Sequence, residues 1–294
     1  MDSRQKQAAL GAAMMVLAGA SFALVNVMLQ YGAMTMGLSA SNLAFWQYFV
    51  AFLFILPVVW GGGRHLLQSR YPKLHLIRVL VSIFGVQVWV LSLAHVPIWQ
   101  AIALLLTSPI FVTIGAAFYL GERITLARAA AILIGAIGGL IILQPWQDDF
   151  TLYALLPLSA ALLWAIVSVI TKKITEDEDS RTITMWLLLL LTPANALIAA
   201  IDGFTLAGAG WAAVALVLAL GLLTAFAQFC ISRAYSLADA GFLQSFDHLK
   251  LPLNVLFGFW VFGWVPPGWL WLGSGLIILA SIWLLRAETA RDDS

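Results

Sequence analysis

Between residues 240 and 262 the chain is apolar except for a short set of polar side chains, Gln244, Ser245, Asp247, His248, Lys250 and Asn254. Asp247 and Lys250 are three residues apart, so on a helix they share a face. There they can neutralise each other or receive the two charged ends of a zwitterion. His248 is rotated by about 100° from Asp247, and its ordinary pKa of about 6.5 makes it a candidate proton carrier. Ser245 and His248 are also three apart, but the Gly-x-Ser-Gly, Gly-x-Gly-Asp and His-Glu-x-x-His patterns of intramembrane and metal-dependent hydrolases do not occur in the sequence. Binding and carriage fit these residues better than bond cleavage, and an enzyme using the polar residues of this segment is the alternative.

The elements that hold this segment follow from composition. Of 294 residues, 62% are hydrophobic and 10% charged, with a net charge of +1, against roughly 45–50% and 25% in soluble domains. That excludes a water-soluble globular protein and offers nothing to nucleic acid. The single Cys230 and four scattered histidines give no disulfide and no metal-ligand spacing. No nucleotide-binding or other cofactor motif is present.

Runs of about 20 apolar residues, enough to cross a bilayer, occupy ten stretches: Ala8–Gln30, Asn42–Trp60, Leu74–Leu93, Trp99–Leu120, Leu126–Leu143, Thr151–Thr171, Thr182–Ile201, Trp211–Ser232, Ala240–Phe262 and Pro267–Leu285. They are continuous rather than alternating, so they predict helices, which satisfy their own backbone in lipid. Of the 15 Lys and Arg, all but Lys250 fall on or beside alternate connections. Arg78 belongs to the set beside the second and third spans. Both termini are then expected in the cytoplasm. Lys250, in the middle of span nine, is the exception, and a charge at that depth costs about 2.5–3.5 kcal/mol unless it faces the bundle interior.

The chain also repeats itself. Phe22-Ala23 returns as Trp164-Ala165, Pro109 with Gly115 returns as Pro252 with Gly258, and Gly139-Leu140-Ile141-Ile142-Leu143 returns letter for letter at Gly275–Leu279. Two five-helix halves are expected, residues 1–143 and 151–286. Because five is odd, the second half enters the membrane inverted, as in secondary transporters. The fold expected is an all-α membrane protein of ten transmembrane helices.

The fourth-span pattern Pro97…Ala101…Thr107-Ser108-Pro109…Leu120-Gly121-Glu122-Arg123-Ile124-Thr125, the Gly-rich fifth span and the two halves resemble the EamA-type branch of the drug/metabolite transporter superfamily. The resemblance implies a secondary transporter of the bacterial cytoplasmic (inner) membrane, working by alternating access on an amino acid, an amine or an S-adenosylmethionine-like solute. Related proteins are assigned riboflavin and drugs as well. Its partners would be that solute and lipid, with protons as a candidate coupling ion. Gln100 stands where many relatives carry Glu, and Gly263-Trp264 where the family often repeats Gly-Glu.

Further residues at similar depth are candidates for the same cavity. Gln87, Gln228, Asn26, Ser168 and Thr107-Ser108 could meet the solute, with interhelical hydrogen bonding as the alternative. Phe22 and Trp164, equivalent in the repeat, could stack on a planar or cationic solute. Pro109 and Pro252 could bend two helices around it. The run Glu176-Asp177-Glu178-Asp179 reads as a solvated loop. Gly135 and Gly139 permit close helix approach, inside one chain or at a homodimer seam.

Overall fold

Uninterrupted apolar runs can pair their backbone only within the segment, and the computed structural model of the chain is helical throughout. It describes residues 3–62, 68–108, 110–111, 126–147, 150–204, 210–238, 243, 246 and 249–292. Ten α-helices stand in order among the described residues: α1 (Ser3–Met34), α2 (Ala40–Gly62), α3 (Pro72–His95), α4 (Ile98–Leu105), α5 (Leu126–Leu143), α6 (Leu156–Ile174), α7 (Ser180–Ala199), α8 (Gly210–Leu237), α9 (Lys250–Phe262) and α10 (Gly268–Asp292). A 3-10 turn, Leu152–Leu155, leads into α6.

Six of these, α1, α2, α3, α6 with its leading turn, α7 and α8, are long and apolar enough to span a membrane. Helices α5, α9 and α10 carry shorter apolar stretches, Ala129–Leu143, Lys250–Phe262 and Gly268–Ala280. Large apolar side chains point outward all round the bundle, among them Leu133, Leu197, Leu218 and Leu279. An apolar exterior on this scale is stable only against lipid. The protein is an all-α membrane protein.

Local chemistry sets the helix ends. Pro72 opens α3, where its missing N–H belongs to the unpaired first turn. Asp179 caps α7 by accepting from the Arg181 N–H at 2.7 Å. Gly263 closes α9 with φ 68°, a left-handed position that suits a residue without Cβ. Helix α1 runs a turn beyond the apolar stretch, to Met34, because Gln30 does not meet water. It is fully buried, donating to the Leu93 and Val96 carbonyls at 3.0 and 2.8 Å and accepting from the Ile98 N–H at 3.2 Å.

The halves also meet closely where α5 crosses α10. A Cβ on Gly138 would lie 2.6 Å from the Gly273 carbonyl oxygen, and one on Gly273 would lie 2.7 Å from that of Gly138. The close approach expected from glycines in this helix is thus made inside the chain. The residue at the crossing is Gly138 rather than Gly139, whose Cβ would meet only Thr107 at 3.7 Å, while Gly135 faces Ile110 and Ala280.

Candidate functional site

Between the halves lies a cavity enclosing about 1260 Å³ of empty space, its open mouth included. Residues of α1 to α4 line it from the first half and residues of α6 to α9 from the second. Helices α5 and α10, packed on each other, supply no lining residue among those described.

The walls are aromatic and the fittings are mostly amides and hydroxyls. Phe22 and Trp164, the repeat-equivalent pair, both line the cavity, as do Trp89, Tyr48 and Tyr235. Asn26 accepts from the Trp89 indole N–H at 3.0 Å and donates to the Asn254 side-chain oxygen at 3.2 Å. Asn254 in turn donates to the Lys250 carbonyl at 2.7 Å. The chain Trp89–Asn26–Asn254 therefore ties α3 and α1 of one half to α9 of the other. Gln47 donates to Thr224 at 2.9 Å, again across the halves, and Tyr48 and Gln228 both face the cavity. Such buried polar links fix helices in one rotation.

Of the residues singled out in the sequence, Phe22, Asn26, Trp164, Ser168, Gln228 and Lys250 face this one cavity, with Ser108 from the end of α4. The Lys250 stem crosses Gly19 of α1, where an added Cβ would sit 3.4 Å from its Cγ. Gln87 lies elsewhere: it donates to the Asn195 side chain at 2.7 Å and joins α3 to α7. Gln100 donates to the Ile142 carbonyl at 3.3 Å, tying α4 to α5. Pro109, Gln244, Asp247 and His248 lie outside the described residues. Pro252 is the third residue of α9 and faces outward. In a first turn the N–H groups lack intrahelical partners anyway, so no hydrogen bond is lost there. The prolines inside described helices are Pro57 of α2 and Pro193 of α7.

Two charged residues were misjudged by their sequence context. Arg78, grouped with the connection cations, is fully buried two turns inside α3 and lines the cavity. Its guanidinium donates to the Thr171 hydroxyl at 3.3 Å and to the Ile183 carbonyl at 2.8 Å. The sequence held the clue, since Arg78 falls inside the apolar run Leu74–Leu93. Glu178 belongs to an acidic run that reads as a solvated loop, yet its side chain is only 4% exposed. It accepts from the Ser69 hydroxyl at 2.7 Å and from the Arg70 and Tyr71 N–H groups at 2.7 and 3.1 Å, and its other oxygen lies 2.8 Å from His75 Nε2. Burial alone would raise the Glu178 pKa, but the hydrogen bonds from Ser69, His75 and Tyr71 outweigh it and hold the carboxyl below the usual range. Its neighbours are employed too: Asp177 binds the Tyr71 hydroxyl, Asp179 caps α7 and Glu176 pairs with Lys173.

The sequence profile of the EamA-like transporter family matches residues 9–144 and again residues 151–286. Over 286 residues the chain is 49% identical to a riboflavin transporter of Rhizobium johnstonii, covering 97% of this chain and 94% of that one. It is 46% identical over 283 residues to a riboflavin transporter of Vibrio cholerae, covering 96% and 94%. A crystal structure with 19% identity superposes with a TM-score of 0.62 over 99% of both chains and shares the fold.

Proposed function

The chain belongs to the EamA-like transporter family and carries a small metabolite, and on that premise we propose that its solute is flat and heteroaromatic, riboflavin in the first instance, moved by alternating access through the cavity between the halves. The observation that carries this reading is the pair Phe22 and Trp164. One residue from each half, at equivalent places in the repeat, faces the same cavity, as two opposed surfaces for a planar ring would. Amides and hydroxyls of Gln228, Tyr48 and Ser168 supply partners for carbonyl, imide and polyol groups, which a flavin ring with its ribityl chain offers. The names of the relatives at 49% and 46% identity agree.

The halves are read as inverted in the bacterial inner membrane with both termini cytoplasmic, because the connection cations gather on one side. Lys250 is read as meeting an electron-rich edge of the solute, and protons remain the candidate coupling ion. Neutralising it tests the role: if Lys250 only balances Asp247, Lys250→Ala with Asp247→Ala should transport normally, whereas a solute contact predicts a folded double variant without flux.

Purified protein in liposomes should accumulate riboflavin saturably, followed by flavin fluorescence. Lumichrome, which keeps the ring and lacks the ribityl chain, should compete, and amino acids should not. Phe22→Ala or Trp164→Ala should weaken apparent affinity about tenfold, the scale of one aromatic stacking contact. Accumulation of an amino acid in place of riboflavin would overturn the assignment.

A further inference from the structure

We propose that Glu178 is a latch between the two halves, closing the end of the cavity beside the α2–α3 and α6–α7 connections, and that its release opens that end. The proposal takes the cavity as the solute path and so rests on the transport reading above.

Glu178 follows α6 and belongs to the second half; Ser69, Arg70, Tyr71 and His75, its four partners, all belong to the first. The carboxylate sits at the start of α3, where backbone N–H groups are unpaired and the helix dipole favours an anion. The other described side-chain ion pairs, Lys173–Glu176 and Arg181–Asp179, are each local to one turn. The His75–Glu178 contact joins segments 103 residues apart.

A second layer lies directly inside the first. Arg78, one turn beyond His75 on α3, reaches Thr171 of α6 and the Ile183 carbonyl of α7, both in the second half, and its other side faces the cavity. Its hydrogen bonds go to neutral oxygens, and Glu178 supplies negative charge from the next layer. Removing the Glu178 charge would therefore loosen the outer layer directly and leave a buried guanidinium without its counter-charge. At the rim the Tyr71 hydroxyl binds Asp177, a third crossing between the halves.

This seam is also incompletely satisfied. His75 Nδ1, Arg78 Nε and Trp186 Nε1 are buried without a hydrogen-bond partner, and the His75 and Trp186 rings lie stacked at 5.6 Å. Each such atom disfavours the closed layer, and an arrangement that admits water would satisfy all three. At the α5–α10 crossing backbone meets backbone with no room for an added side chain.

The test uses no solute, so it can fail independently of the transport reading. In a Cys230→Ser background, Ser82→Cys places a reporter on the cavity wall one turn inside Arg78; Ser82 is buried and donates to the Arg78 carbonyl. A membrane-impermeant maleimide is applied to membrane vesicles of each orientation. Glu178→Gln should raise labelling from the face bearing the α2–α3 connection about tenfold, the scale of losing charge-assisted hydrogen bonds. Ser69→Ala, which deletes one donor from a surface turn and spares the core, should raise it about twofold. Labelling from the opposite face should not rise in either variant. If Glu178→Gln is not recovered folded, Ser69→Ala decides. An unchanged rate in the folded variants, or an equal rise from both faces, overturns the latch.

Discussion

Asn26 uses one carboxamide to hold two neighbours, accepting from Trp89 and donating to Asn254. Replacing it by Ala would leave an indole N–H and an amide oxygen buried and unpaired, which costs roughly 1–3 kcal/mol for each group left without a partner. Asn26→Ala should therefore lower the thermal stability of the detergent-purified protein, while Asn254→Ala, which leaves only the Asn26 amide N–H without its partner, should lose less. Thermal unfolding of the two variants side by side checks this. At Glu178 the same logic gives a pH dependence. Its carboxyl is held below the ordinary value of 4.5 by partners on the first half, with His75 and Arg78 of α3 and Tyr71 of the turn before it facing the group. A depressed pKa contributes stability that is present above the ordinary value and lost as pH falls through the depressed one. Apparent melting temperature should thus fall on acidification below about 4.5, and the fall should be shallower in Glu178→Gln.

At Gly138 and Gly273 each backbone carbonyl occupies the space a side chain on the other would need, which holds α5 and α10 in close register. Gly138→Leu should force the pair apart, at a cost of about 1–3 kcal/mol or more as overpacking. Because neither helix lines the cavity among the described residues, such a variant should lose stability while any surviving folded fraction keeps its apparent affinity for solute. Separate measurement of melting and of transport KM distinguishes this from a binding defect. Helix α3, by contrast, lines the cavity. One end is held by Gln30 around the α3–α4 turn, its middle faces the cavity through Trp89, Val86 and Ser82, and the other end is clasped by Glu178. It connects the cavity wall to the proposed latch as one rigid rod.

For the molecule as a whole, the clustering of cations on alternate connections predicts which surfaces face which compartment. Cys230 is buried, so engineered cysteines report cleanly once it is replaced. Thr151→Cys and Trp146→Cys, at exposed positions on one set of connections, should react with an impermeant reagent in intact cells. Gln68→Cys, exposed on the other set, should react only after permeabilisation. Labelling of Gln68→Cys in intact cells would reverse the orientation.

The membrane character, the helical class and the two-part plan were legible in the sequence because each depends on composition read along one dimension. A run of apolar residues is a helix in lipid wherever its neighbours stand, and Leu126–Leu143 is even bounded as expected. Depth can be counted in the same way, which is why Lys250, Trp164 and Phe22, all three on the cavity wall, stand out in the sequence. Azimuth cannot. Gln87 and Gln228 are each a single glutamine in an apolar helix, and only the packing of α3 on α7 turns Gln87 to Asn195 while Gln228 faces the cavity. Glu178 and Arg78 were hidden for a related reason. A charge near a connection looks solvated in sequence, and its burial is created by segments about 100 residues away, whose rotation and translation no local pattern encodes. Tertiary structure alone decided which polar groups meet across the halves, because that depends on how ten helices settle against one another.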